Sequence, residues 1–117
     1  MLHGIVLRST YPHARILDVD AQAALELPGV AAVVTPELVK QRTHPFKPGR
    51  YAAGLKTPIP EYATAIDRVR YLGEPIAMLA ARSPSIAEDA LELIRVEYDP
   101  LPTVVDPWKA MESSAPL

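Results

Sequence analysis

Proline recurs along this chain wherever a helix or strand would otherwise run on. Thirteen of the 117 residues are proline, against about 5% in an average protein. They are spread from Pro12 to Pro116 instead of clustering in one low-complexity tract. Each ring fixes φ near about −65° and removes a backbone donor, so regular elements stop at it. The chain must therefore build its fold from short, sharply bounded pieces.

Gly4-Ile5-Val6-Leu7-Arg8-Ser9 reads as a strand, and Arg15-Ile16-Leu17-Asp18-Val19-Asp20 as a second with alternating polarity. Thr10-Tyr11-Pro12-His13 lies between them, which predicts an N-terminal antiparallel hairpin with a loop longer than two residues. Asp20 is placed to cap a helix from Ala21 to Leu27, with Pro28-Gly29 as its stop. Val30-Ala31-Ala32-Val33-Val34-Thr35 is continuous and rich in β-branched residues, the pattern of a strand buried on both faces.

From Pro36 to Ala63 periodicity decays into a long Pro-rich excursion, opening with one helical turn at Glu37 to Lys40. Such a loop lies against a partner or is a solvated variable segment. Val69-Arg70-Tyr71-Leu72 then leads through Gly73-Glu74-Pro75 into a second buried strand, Ile76-Ala77-Met78-Leu79-Ala80-Ala81. Ser83-Pro84 or Ser85 can cap the next helix, and Ser85 with Glu88 has capping-box spacing. At about 100° per residue, Ile86, Ala87, Ala90, Leu93 and Ile94 share one face of it. With Val96-Glu97-Tyr98 emerging as a strand, this segment reads as a βαβ unit with a right-handed crossover. Asp106 with Pro107 opens a final helical turn, and residues 113–117 read as a frayed tail. The pieces sum to one α+β domain over residues 1–117: a small mixed β-sheet with a βαβ unit, an N-terminal hairpin and two to four short helices.

A hydrophobic fraction of 49% and a charged fraction of 22% suit a chain that buries a core. The net charge of −2 provides no field to attract nucleic acid or an anionic membrane. No run approaches the about 18 apolar residues of a membrane span, and the N-terminus lacks a secretory pattern, so a soluble, cytoplasmic protein is expected. With no cysteine, this segment has neither thiolate chemistry nor iron–sulfur ligation of its own.

No catalytic constellation is visible. His3, His13 and His44 lack both helical i, i+4 spacing and companion ligands. The five glycines form no phosphate loop, and the serines stand outside any nucleophile elbow. Two small groups remain. His13 and Arg15 lie in and after the first turn, where they face a partner or hydrogen-bond locally. Gly73, Glu74 and Pro75 form a strand-entry turn that holds one carboxylate at its mouth. All five are candidate inter-domain contacts, with no catalytic, cofactor-binding or metal-ligating residue assigned.

Read in order, several segments resemble the xanthine dehydrogenase and aldehyde oxidase family of molybdenum hydroxylases, which includes the aerobic carbon monoxide dehydrogenase large subunits. The resemblance is carried by Leu7 to Ile16, by Ala24-Leu25-Glu26-Leu27-Pro28-Gly29-Val30, and by Val69 to Ala77. It continues in Ala87-Glu88-Asp89-Ala90 and in Val96-Glu97-Tyr98-Asp99-Pro100 through to Pro107. The family usually carries Ser-Pro-His-Ala-His-Ala-Arg-Ile near the first turn, and this chain has Ser9-Thr10-Tyr11-Pro12-His13-Ala14-Arg15-Ile16 in its place.

The resemblance implies the α/β hammerhead domain of a molybdopterin-binding large subunit, and thus a fragment of a longer chain. It implies a parent oxidoreductase that hydroxylates a small substrate with water as the oxygen source, and iron–sulfur clusters and FAD on companion subunits or domains. The expected partners are the remaining domains of the large subunit and those companion subunits, with no nucleic acid. On this reading the isolated chain is inert and exposes an apolar patch where its neighbours dock. The competing reading is a free-standing module that takes a small molecule or peptide in the 36–63 loop.

Overall fold

The computed structural model describes residues 1–46 and 60–116, and the strand Pro75–Ala81 lies at the centre of what it describes. In chain order the elements are β1 His3–Arg8, β2 Ala14–Asp20, α1 Gln22–Glu26, β3 Val30–Val34, α2 Pro36–Arg42, β4 Arg68–Val69, β5 Pro75–Ala81, α3 Pro84–Glu92, β6 Arg95–Pro100 and α4 Pro107–Ala110. The strands form two three-stranded sheets, ordered β1-β5-β3 and β4-β2-β6, and every pairing is antiparallel. The architecture is α+β, as expected, but neither sheet is mixed.

The predicted N-terminal hairpin does not form. β1 pairs with β5, from His3 opposite Ala81 to Arg8 opposite Pro75, while β2 pairs with β4 and β6 in the other sheet. The apolar strand β5 buries more of its side chains than β2 does, and residues 9–13 carry the chain from one sheet to the other. The predicted βαβ unit fails for a related reason. β5 already has β1 and β3 along its two edges, so β6 has no edge to join there and pairs with β2.

Nor is β3 a doubly buried strand. It is an edge strand with Ala31 and Ala32 exposed, and its register with β5 shifts between Val30 and Ala32. Alanine is apolar in the sequence pattern but has little surface to hide, so an Ala-rich strand tolerates an edge.

The helices follow local signals more closely. Ser83, not Ser85, caps α3: its hydroxyl accepts from the Ile86 amide at 3.3 Å, and Pro84 takes the first position. Ala87, Ala90 and Ile94 are buried, whereas Leu93, at the helix C-cap, is exposed. α1 starts one residue later than expected. Asp20 still serves it, its carboxylate accepting from the Gln22 amide at 2.9 Å. α2 runs seven residues, longer than the single turn predicted, with Thr35 as its cap. The rest of the expected excursion, residues 47–59, lies outside the described residues.

Two buried clusters hold the fold together. Ala24, Ala77, Leu79, Ala81, Ala87, Ala90 and Ile94 form the larger, where β5 meets α1 and α3. Alanines dominate it, which lets α3 lie close to the sheet. The smaller gathers Ala14, Ala65, Val69 and Ile76 between the sheets. Leu7, Val19 and Val96 pack against both.

Candidate functional site

The two residue groups marked by the sequence meet the same stretch of chain, the connection from β1 to β2. At its start, the Ser9 amide donates to the Glu74 carbonyl and the Gly73 amide to the Ser9 carbonyl, both at 2.9 Å. The Arg8 guanidinium adds a bond from Nη1 to the Gly73 carbonyl at 2.9 Å. At its end, the Leu101 amide donates to the His13 carbonyl at 3.0 Å, and His13 Nδ1 lies 2.8 Å from the Pro102 carbonyl oxygen. Arg15 pairs with Asp99 at 3.8 Å, both side chains half exposed. The surface pair is weak by this geometry.

The strand-entry turn has the role its composition suggested. Gly73 adopts φ +85°, which glycine reaches without strain. The Glu74 amide donates to the Tyr71 carbonyl at 3.2 Å, and the Glu74 carboxylate accepts from the Arg70 amide at 2.5 Å. The Pro75 carbonyl accepts from the Ala65 amide at 2.8 Å. Glu74 thus closes a loop of its own chain, whereas His13 and Arg15 reach across the fold to Pro102 and Asp99.

Sequence reasoning passed over the middle of the connection. Ser9 is buried, and its hydroxyl both donates to the Tyr11 carbonyl at 2.8 Å and accepts from the Tyr11 amide at 3.0 Å. This fixes the Tyr11 ring 4.9 Å from that of Tyr98, tilted by 47°, within the range of favourable aromatic pairs. Burial pushes the Tyr98 phenol above its ordinary pKa; the Ser9 side chain opposes this and Tyr11 adds to it. Ser9 and Tyr98 lie far apart in sequence, so no local signal could have joined them.

Beside the Glu74 turn lies a cleft of about 580 Å³, whose lining includes Lys40, Phe46, Tyr62, Thr64, Arg70 and Glu74. Thr64 is buried there with its hydroxyl unpaired among the described residues. The amide of Phe46 donates to the Glu61 carbonyl at 2.7 Å beside this cleft. Among the described residues no three His, Asp or Glu side chains gather closely enough to hold a metal ion. None of the described helices is long and apolar enough to cross a membrane.

Comparison with known proteins gives a consistent answer. The family model for the aldehyde oxidase and xanthine dehydrogenase a/b hammerhead domain matches residues 1–102. The carbon monoxide dehydrogenase large chain of Afipia carboxidovorans is 38% identical over all 117 residues, and a probable xanthine dehydrogenase subunit of Bacillus subtilis is 44% identical over 98% of the chain. Each match spans 14% of the relative's length. Among solved structures, a Cu,Mo-containing carbon monoxide dehydrogenase is similar over the whole chain at 39% identity and a TM-score of 0.85, covering 14% of that larger chain. Quinoline 2-oxidoreductase from Pseudomonas putida 86 is similar over 97% of the chain at 37% identity, again with a TM-score of 0.85 and 14% of the larger chain covered. From its two antiparallel sheets to its alignment with these oxidoreductases, the chain belongs to the aldehyde oxidase and xanthine dehydrogenase family, as its α/β hammerhead domain.

Proposed function

We propose that this chain is a structural domain of a molybdenum hydroxylase large subunit, that it packs against the domains binding molybdopterin, and that it has no activity alone. One observation carries the reading: the match extends over the entire chain yet takes in only 14% of each large relative. A module of that proportion fits a supporting role within a longer polypeptide.

On this reading molybdopterin sits in the rest of the large subunit, and iron–sulfur clusters and FAD on companion subunits or domains. When bound, the molybdenum centre supplies hydroxylation chemistry with water as the oxygen source. This chain's own residues contribute a rigid wall. The β1–β2 connection, braced by Gly73 and Glu74 at one end and by Leu101 and Pro102 at the other, holds His13 and Arg15 against a neighbouring domain.

Metal analysis and dye-reduction assays with carbon monoxide, aldehydes and purines test this on the full gene product beside the 117-residue chain. Molybdenum and activity in the full product alone are expected. Activity in the 117-residue chain, or a full product without molybdenum, overturns the reading.

A further inference from the structure

After the last strand, Val105, Trp108 and Met111 follow one another at three-residue intervals, and they are 85%, 76% and 71% exposed. The turn carrying them is well formed. Asp106 Oδ1 accepts from the amides of Trp108 and Lys109 at 2.8 and 3.5 Å, and Pro107 takes the first helical position. The Ala110, Met111 and Glu112 amides bond back along the turn at 2.9, 3.2 and 3.2 Å. Yet no residue of α4 is buried. A helix of four residues has little stability of its own in water, so a capped turn with its largest apolar groups outward needs a surface to order it. Trp108 and Met111, three apart across the turn, lie on one helix face.

The extent of the family matches points to where that surface lies. The hammerhead family model stops at residue 102, whereas the carbon monoxide dehydrogenase large chain and a solved Cu,Mo-containing carbon monoxide dehydrogenase match the chain over its whole length. Residues past 102 are thus shared with the long chains without belonging to the domain model.

We propose that residues 103–116 are an anchor whose Val105, Trp108 and Met111 side chains bury against the remainder of the same large subunit. The proposal rests on the reading that this chain is one domain of a longer polypeptide.

Hydrogen exchange on the full gene product tests it, with molybdenum content read on the same preparation. The amides of Trp108 to Met111 are expected to exchange at least about tenfold more slowly there than in the 117-residue chain. V105A/W108A/M111A in the full product is expected to abolish that protection while β5 amides stay protected, which separates loss of docking from unfolding. K109A/E112A is expected to leave it intact. A molybdenum-loaded product whose tail exchanges as fast as in the short chain overturns the anchor and leaves the domain reading standing. Protection that appears in the short chain and rises with its concentration assigns the stripe to a second copy and likewise overturns it. A gene product ending at Leu117 overturns both.

Discussion

Ile86 on α3 closes directly over Gly29: a Cβ built on that glycine would stand 2.8 Å from Ile86 Cδ1. Gly29 also has φ +99°, and its carbonyl accepts from the Arg82 amide at 2.9 Å. The turn after α1 therefore needs glycine for its backbone, and an added Cβ there would also displace the Ile86 terminal methyl.

Gly29→Ala and Gly73→Ala separate these two demands. Gly73 has φ +85° but nothing within 4 Å of an added Cβ, so its substitution costs only the backbone strain, about 1 kcal/mol. Gly29→Ala adds a contact with the terminal methyl of Ile86, which that side chain can turn away, so it is expected to cost only slightly more, about 1–2 kcal/mol. Denaturant unfolding of both variants checks the order. Ile86→Val in the Gly29→Ala background, which removes Cδ1, should restore part of the loss and leave the strain.

Ile76 is fully buried in the smaller cluster beside Val69 and Ala65. Ile76→Ala is expected to destabilise the domain by about 3 kcal/mol, since the neighbours from both sheets cannot all collapse into the void. Thermal unfolding should show one broad loss of stability, not a separate early transition.

Glu74 is expected to matter as a hydrogen-bond acceptor. Glu74→Ala leaves the Arg70 amide without its partner and should cost about 1 kcal/mol. Glu74→Gln keeps an acceptor oxygen in place and should cost less. Equal losses in chemical denaturation would place the effect in the charge instead.

The raised pKa of Tyr98 makes stability fall on the alkaline side. Above about pH 10 the unfolded chain gives up the phenolic proton while the folded chain keeps it, so folding weakens as pH rises through that range. Tyr98→Phe is expected to flatten this part of the curve. Melting temperatures of both proteins from pH 8 upward, compared over about three pH units, read the difference.

Legibility in the sequence followed the range of the interaction. Caps were visible because each is complete within four residues: Ser83 with Ile86, and Asp106 with Trp108. The strand β5 was visible in its apolar run, and the Gly73-Glu74-Pro75 turn in its composition. Partnership between strands was not. Nothing near His3 announces Ala81, and nothing near Ile16 announces Tyr98, so pairing adjacent strands by default yields a hairpin and a βαβ unit that the fold does not contain. Capping-box spacing at Ser85 and Glu88 competed with Ser83-Pro84, and the helix starts at Pro84, whose fixed φ suits the first helical position. The family resemblance supplied the domain's identity, which periodicity lacked, but not the pairing of its strands.

The pairing of β1 with β5 also sets the order of events at the ribosome. His3 is made 78 positions before its partner Ala81 (81 − 3). At about 5–20 residues per second, that interval lasts roughly 4–16 seconds. Throughout it, Ile5 and Leu7 have no sheet to join, and nascent chains must wait with their first strand uncovered. Biogenesis of this domain is thus governed by the arrival of its central strand, and chaperone demand should peak before Ala81 emerges.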